Sequence, residues 1–234
     1  FSLGIAEANM TVVASGLARE EKIPFIGSYG VFITGRNWDQ LRTTVCYNNL
    51  NVKIADAHGG ISVGQDGATH QALEEITNMC YLPNMHMAIP CDAIETERAT
   101  EVIAFIEGPA VIRYAREATP LVCSKDTPYQ FGLANIIRYR GEKKNFIEAF
   151  EAKLSTDYDS EEEDISIIAC GLMVTEAMRA AYILKKEYGI ETRVLNVHTV
   201  KPIDEKAILR AAEETGIIIT AEEHQVGGFG NIVA

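Results

Sequence analysis

No stretch of about 18 consecutive apolar residues occurs in the 234-residue chain, which excludes a membrane-spanning helix. No basic segment followed by an apolar one stands at its start, so no secretory signal is expected. Cysteine is sparse and irregular. Cys46, Cys80, Cys91, Cys123 and Cys170 are odd in number and show no C-x-x-C spacing. That argues against a disulfide framework or a structural zinc site and leads us to expect a reducing, cytoplasmic setting. A basic excess is also missing, since 33 acidic residues face 21 basic ones for a net charge of -12. No basic stripe is available for nucleic acid. The phosphate-binding pattern G-x-x-x-x-G-K-[ST], the G-x-S-x-G elbow and the H-E-x-x-H zinc pattern are all absent.

What remains is ordinary globular composition, 47% hydrophobic and 23% charged. The length suits one large domain or two small ones. Much of the acidic excess lies in one run, Asp157 to Asp164 (DYDSEEED), which reads as a solvated surface. A negative chain can still take an anionic substrate, because one well-placed Arg dominates locally. The chain opens at Phe1 and stops at Ala234 just after a Gly-rich turn, the look of a section of a longer polypeptide.

Apolar periodicity predicts alternating helices and strands. Residues 4–21 read as a helix, PFIGSYGVFI as a strand leading into a loop, and TGRNWDQLRTTVCYNN as a helix with Thr34 as N-cap. VKIADAH, MHMAIP and AVIRYAR read as strands with helices between them. This is the pattern of a parallel sheet covered on both faces. Residues 117–164 break the rhythm and read as a linker with one short amphipathic helix, NFIEAFEAKL. ISIIACG, ETRVLNVH and IIITAEEH, with two helices between them, form a βαβαβ unit with right-handed crossovers. The expectation is an α/β protein of two αβα-sandwich domains. They span 1–140, with the linker from about 117, and 165–234, with a charged insertion at 141–164.

The densest polar constellation is the thirteen-residue loop from His58 to His70, HGGISVGQDGATH. It starts at a strand's carboxyl end, where open parallel sheets bind ligands. Its glycines allow close backbone approach. Two imidazoles and Asp66 could bind metal, move protons or hold hydroxyls, but the spacing matches no known metal site. Glu7 reads as a helix-start residue favoured by the dipole; were it buried, it would require a partner and point to function. Phe32 and Trp38 read as core. Arg113 and Arg116 end a buried-looking strand, and one or both could grip a phosphate, against a solvated strand end. His86, His198 and His224 carry no assigned role.

Taken together, GIAEANM, FITGRNWDQLR, HGGISVGQDGATHQ, LPNM and VIRYAR resemble the pyrimidine-binding domain of the transketolases. The stretch ISIIACGLMVTEAMRAAYILKKEYGIETRVLNVHTVKPID resembles their C-terminal domain. These are thiamine-diphosphate enzymes that move a two-carbon ketol unit from a ketose phosphate to an aldose phosphate. The resemblance implies that Glu7 hydrogen-bonds the cofactor's aminopyrimidine and Phe32 stacks on that ring. It implies that His58 and Asp66 meet sugar hydroxyls, that His70 assists proton transfer and that Arg116 grips the sugar phosphate. Deoxyxylulose-phosphate synthase, a related enzyme, shares much of this but typically carries Arg-Ala-Gly where His58-Gly-Gly stands here.

A complete transketolase also has a diphosphate-binding domain whose Gly-Asp-Gly motif holds Mg²⁺, and no such motif occurs here. The resemblance therefore implies a partner, an N-terminal transketolase subunit supplying thiamine diphosphate and Mg²⁺ contacts, in a dimeric or tetrameric assembly acting in the pentose phosphate pathway. No metal ligand is expected on this chain. The alternatives are a deoxyxylulose-phosphate synthase-like enzyme and a non-catalytic interaction module. The joint presence of Glu7, His58, Asp66, His70 and Arg116 speaks against the module.

Overall fold

The computed structural model describes all residues, 1–234. The chain divides into two compact units. The first comprises Phe1–Ala88, Ala99–Ala118 and Glu223–Ile232, and the second Ile89–Arg98, Thr119–Glu222 and Val233–Ala234.

In the first unit, α1 (Glu7–Arg19) leads to β1 (Phe25–Tyr29). Two helical segments follow, broken at Asn37 (φ -105°, ψ 7°): a π-helical turn at Val31–Arg36, then α2 (Trp38–Gln40) running into a second π-helical stretch at Leu41–Cys46. The first of them begins earlier than expected. Thr34 is not its N-cap but lies inside it, with Oγ1 donating to the Gly30 carbonyl at 2.6 Å. Next come β2 (Lys53–Ala57), a kinked 3-10 segment at Ile61–Thr69, α3 (Glu75–Cys80) and β3 (His86–Ala88). Then α4 (Ala93–Phe105) precedes β4 (Ala110–Tyr114). The strands lie in the order β1-β2-β4-β3, every pair parallel. Ile54 sits beside Ile26 on one side and Val111 on the other, and Ile54, Met87, Val111 and Ile112 have no exposed surface. Burial on both sheet faces explains why these strands read as near-continuous apolar runs.

One lysine enters this core with its charge satisfied by backbone carbonyls. Lys53 is fully buried, and its Nζ donates to the carbonyls of Ile106 at 2.6 Å and Gly108 at 2.8 Å. Burial lowers its pKa to about 8.

The second unit corrects the reading of residues 117–164. No helix forms over NFIEAFEAKL. β5 (Asn135–Tyr139) and β6 (Phe150–Leu154) pair antiparallel, with only a short 3-10 turn at Ile147–Ala149. The sequence supports both periods: Phe146, Phe150 and Leu154 repeat at helical spacing, while Phe150, Ala152 and Leu154 alternate as a strand. Pairing with β5 and packing of Phe150 and Ala152 on the core decide for the strand.

After a 3-10 turn at Ser155–Asp157 come β7 (Ile165–Ala169), α5 (Met173–Ile183) running into a π-helical turn at Leu184–Tyr188, β8 (Thr192–Asn196), β9 (Thr199–Lys201), α6 (Glu205–Glu214) and β10 (Ile217–Ala221). The short helix α7 (Phe229–Val233) closes the chain's elements. The helix through α5 stops at Gly189, which takes the left-handed conformation, φ 72°, that glycine adopts without strain. The sheet order is β10-β7-β8-β5-β6, with β10, β7 and β8 parallel as expected and the β5–β6 hairpin added antiparallel on β8. Ile137, Ile167, Val174, Met178 and Val194 form its core. Asp204 caps α6, accepting from Ala207 N at 3.1 Å, and also accepts from Ala134 N at 2.9 Å and Ser155 Oγ at 2.5 Å.

The acidic run is only partly a solvated face. Glu163 is buried between Arg138 and Arg193, with Arg193 Nη2 at 2.6 Å, while Glu161 receives both Arg140 Nη1 and Nη2, at 2.5 and 2.6 Å. The basic RYR segment of β5 and the acidic run are thus each other's partners.

Candidate active site

The site residues all lie in the first unit, Glu7 at the start of α1 and the others in the segments at or after the carboxyl ends of β1, β2 and β4. Register makes those ends level, with Tyr29 beside Ala57 and Ala57 beside Tyr114. This is the edge at which open parallel sheets bind ligands. Tyr29 ends β1, His58 follows β2 and Arg116 lies just past β4.

Glu7 is the first residue of α1, where an acid is favoured by the helix dipole. It is not a surface residue. Its side chain is 5% exposed and accepts from Ser28 Oγ at 3.1 Å and Arg36 Nη1 at 3.0 Å. Burial raises its pKa, but bonds from its own backbone N–H, Ser28 and Arg36 outweigh that and hold it below the ordinary carboxylate value. Glu7 is therefore an ionised acceptor at neutral pH.

Arg36 also lies over the Phe32 ring, 4.4 Å from its centroid, and so links Glu7 to an aromatic group. The Phe32 ring is not simply core. Its centroid stands 6.3 Å from that of Tyr29 and 5.2 Å from that of His70, the latter pair edge to face. Tyr29 in turn lies 4.2 Å from the His58 ring and 5.7 Å from His70. Both loop histidines thus return to one aromatic wall. His58 takes a left-handed backbone conformation, φ 65°, uncommon for a residue with a side chain. Its Nδ1 is buried without a hydrogen-bond partner, while His70 Nδ1 lies 2.9 Å from Thr69 Oγ1.

Asp66 and Arg116 form a separate, half-exposed pair, 3.7 Å apart. Arg116 also donates to the Val63 carbonyl, which fixes the middle of the loop. Arg113, one of two candidates for phosphate, is spent inside. It is 5% exposed, and its Nε donates to the buried Glu75 at 2.5 Å. Beside this pair Asp56 is fully buried. Burial first, then the Glu75 charge, raise its pKa well above the ordinary value, with Arg113 opposing.

Sequence reasoning missed Tyr29 and Arg36. Tyr29 lies inside the PFIGSYGVFI segment without being singled out; its place at the end of that strand, before Gly30, was the available signal. Arg36 lay inside a quoted motif, FITGRNWDQLR, without being singled out.

The architecture is that of a two-unit α/β protein with a Gly-rich, two-histidine loop at the carboxyl edge of a parallel sheet. Comparison with known proteins narrows it. The pyrimidine binding domain of transketolase matches residues 1–122, and the transketolase C-terminal domain matches residues 155–234. A putative transketolase C-terminal section of Methanocaldococcus jannaschii is 38% identical over 235 residues, covering 100% of this chain and 67% of that protein. A 6-deoxy-6-sulfo-D-fructose transketolase subunit of Clostridium sp. is 37% identical over 233 residues, covering 99% of this chain and 65% of that one. Among solved structures, a split-gene transketolase described as an inactive beta4 tetramer aligns over 100% of this chain and 69% of its own, with TM-score 0.82 and 38% identity. The chain belongs to the transketolase family, a family of thiamine-diphosphate-dependent transferases. It spans about two thirds of these split relatives and 34% of an undivided rat transketolase. No helix is long and apolar enough to cross a membrane.

Proposed function

We propose that this chain is the pyrimidine-binding and C-terminal section of a transketolase that transfers a two-carbon ketol unit from a ketose phosphate to an aldose phosphate. The observation that carries the reading is Glu7, a buried, ionised carboxylate tied through Arg36 to the wall of Phe32, Tyr29, His58 and His70. An aminopyrimidine fits this set, with an acceptor for a ring N–H and aromatic surface beside it. Thiamine diphosphate, when bound, supplies the carbanion chemistry of carbon–carbon cleavage.

The chain's own residues do the rest. Glu7 accepts a hydrogen bond from the pyrimidine ring nitrogen and fixes its tautomer. Tyr29 and Phe32 exclude water beside it. His58 and His70 hold sugar hydroxyls and pass protons at their free ring nitrogens. Asp66 accepts from a sugar hydroxyl, and Arg116, half-exposed at the loop's outer side, meets the sugar phosphate. No residue here is assigned to Mg²⁺ or the diphosphate; both fall to a partner section in a dimeric or tetrameric assembly. Five cysteines, odd in number and irregularly spaced, support a reducing, cytoplasmic setting.

The test combines the chain with a partner that carries a diphosphate-binding domain, thiamine diphosphate and Mg²⁺, and follows ketol transfer from a ketose phosphate. Transfer supports the reading. Turnover with pyruvate as donor instead would assign the chain to the deoxyxylulose-phosphate synthase type, an enzyme of which one example is 37% identical over 237 residues. Failure of both reactions with a bound partner would leave the non-catalytic module.

A further inference from the structure

The loop from His58 to His70 is held by a segment far along the chain. Ser62 N donates to Glu223 Oε1 at 3.1 Å, and Ser62 Oγ donates to Glu223 Oε2 at 3.1 Å, across 161 residues. Glu223 is 8% exposed. The two glycines that follow His58 are required by what packs on them. A Cβ on Gly60 would stand 2.6 Å from Glu223 Oε2, and a Cβ on Gly59 would stand 2.4 Å from Arg113 Nε. Gly60 also has φ 92°, a conformation side chains disfavour.

The segment after Glu223 is fastened along the other end of the loop. Gln225 N donates to the Leu73 carbonyl at 3.3 Å, Gln225 Nε2 to Glu74 Oε1 at 3.2 Å, and Thr77 Oγ1 to the Gly227 carbonyl at 2.6 Å. Behind it, His224 Nε2 lies 3.7 Å from Glu75 Oε2, on the carboxylate that pairs with Arg113.

We infer that Glu223 is a positioning residue for the loop that presents His58, Asp66 and His70. It grips Ser62 while Arg116 grips the next residue, Val63, so the middle of the loop is clamped from two independent elements. Its effect on turnover rests on the proposed function; the clamp itself does not.

The test uses Glu223→Ala and Glu223→Gln in the full chain, with two readouts. The first is hydrogen exchange of residues 61–70 against the β1, β2 and β4 amides. The second is the KM and kcat of ketol transfer with the partner section. Loss of a charge-assisted pair in Glu223→Ala should speed Ser62 exchange about tenfold or more and leave the strands unchanged. It should raise the KM for the donor sugar by about the same factor, with a smaller change in kcat. Glu223→Gln should restore both to within about threefold, because a carboxamide accepts from Ser62 N and donates to Ser62 Oγ. Unchanged exchange and KM in Glu223→Ala, or a Gln variant as impaired as Ala, overturns the inference. If Glu223→Ala does not fold, Glu223→Met, of similar length but unable to accept from Ser62 N or Oγ, replaces it, and unaltered exchange over 61–70 in that variant overturns the clamp. A wild-type chain with no ketol transfer would fail the proposed function alone, since exchange still decides on Glu223.

Discussion

Arg36 reaches back 29 residues to Glu7, with Nη1 3.0 Å from Oε2, and covers the Phe32 ring with the same guanidinium. One exposed cation thereby satisfies a buried carboxylate and orders an aromatic side chain beside it. The pair makes sense of an acid in apolar surroundings, which is costly without partners. It also identifies the residue whose loss should be felt most.

Glu7→Ala should reduce ketol transfer of the assembled enzyme by about 10³-fold or more while leaving the fold intact. Steady-state kinetics beside a thermal melt check this. Near-normal turnover would remove Glu7 from the chemistry.

Arg116→Ala should raise the KM for phosphorylated sugars by about 10- to 100-fold, the worth of one charge-assisted contact, with kcat little changed. A non-phosphorylated donor should show no such penalty. An equal effect on both donors would mean that Arg116 serves only the Val63 and Asp66 contacts seen here.

Glu163→Ala should destabilise the protein by about 1.5–3 kcal/mol, because it removes the buried carboxylate shared by Arg138 and Arg193 and leaves Arg138 with Glu191 and Arg193 with Glu214. Urea unfolding measures it. A loss under 1 kcal/mol, the surface-pair value, would show that the arginines find water.

Stability should also vary with pH in a way that one variant unmasks. His198 is buried, and burial lowers its pKa to about 4, with Asp204 partly opposing. The unfolded chain then binds the extra proton between pH 6.5 and 4, so stability falls on acidification in that window. Glu95 behaves oppositely. Burial raises its pKa to about 7 against bonds donated by Cys91 and Asn196, so the folded chain holds the extra proton between pH 7 and 4.5 and gains stability on acidification. The two slopes oppose each other in wild type. Glu95→Gln removes one, and the Asn196 carboxamide, whose Oδ1 has no partner, can turn to accept the new N–H. From pH 7 to pH 5 this variant should lose about 2 kcal/mol relative to wild type. Parallel stability profiles in urea would contradict the assignment.

The sequence by itself determined the elements whose signals are local. α1, the parallel strands, the helix stopped at Gly189 and the Gly-rich loop follow from periodicity, turn residues and backbone freedom over a few positions. The resemblance of its motifs to those of the transketolases, rather than the residue pattern alone, offered Glu7, Phe32, His58, Asp66, His70 and Arg116 as candidates. Tertiary structure decided everything that depends on partners distant in the chain. NFIEAFEAKL carries helix and strand periods at once, and only pairing with β5 resolves them. The run DYDSEEED looks solvated until Arg138, Arg140 and Arg193 meet it. Arg113 and Arg116 are equivalent phosphate candidates in sequence; burial against Glu75 removes the first. Glu223 reaches Ser62 across 161 residues, a separation no local pattern can report. Burial sets the energy of such groups, and burial is a property of the packed chain rather than of any window within it.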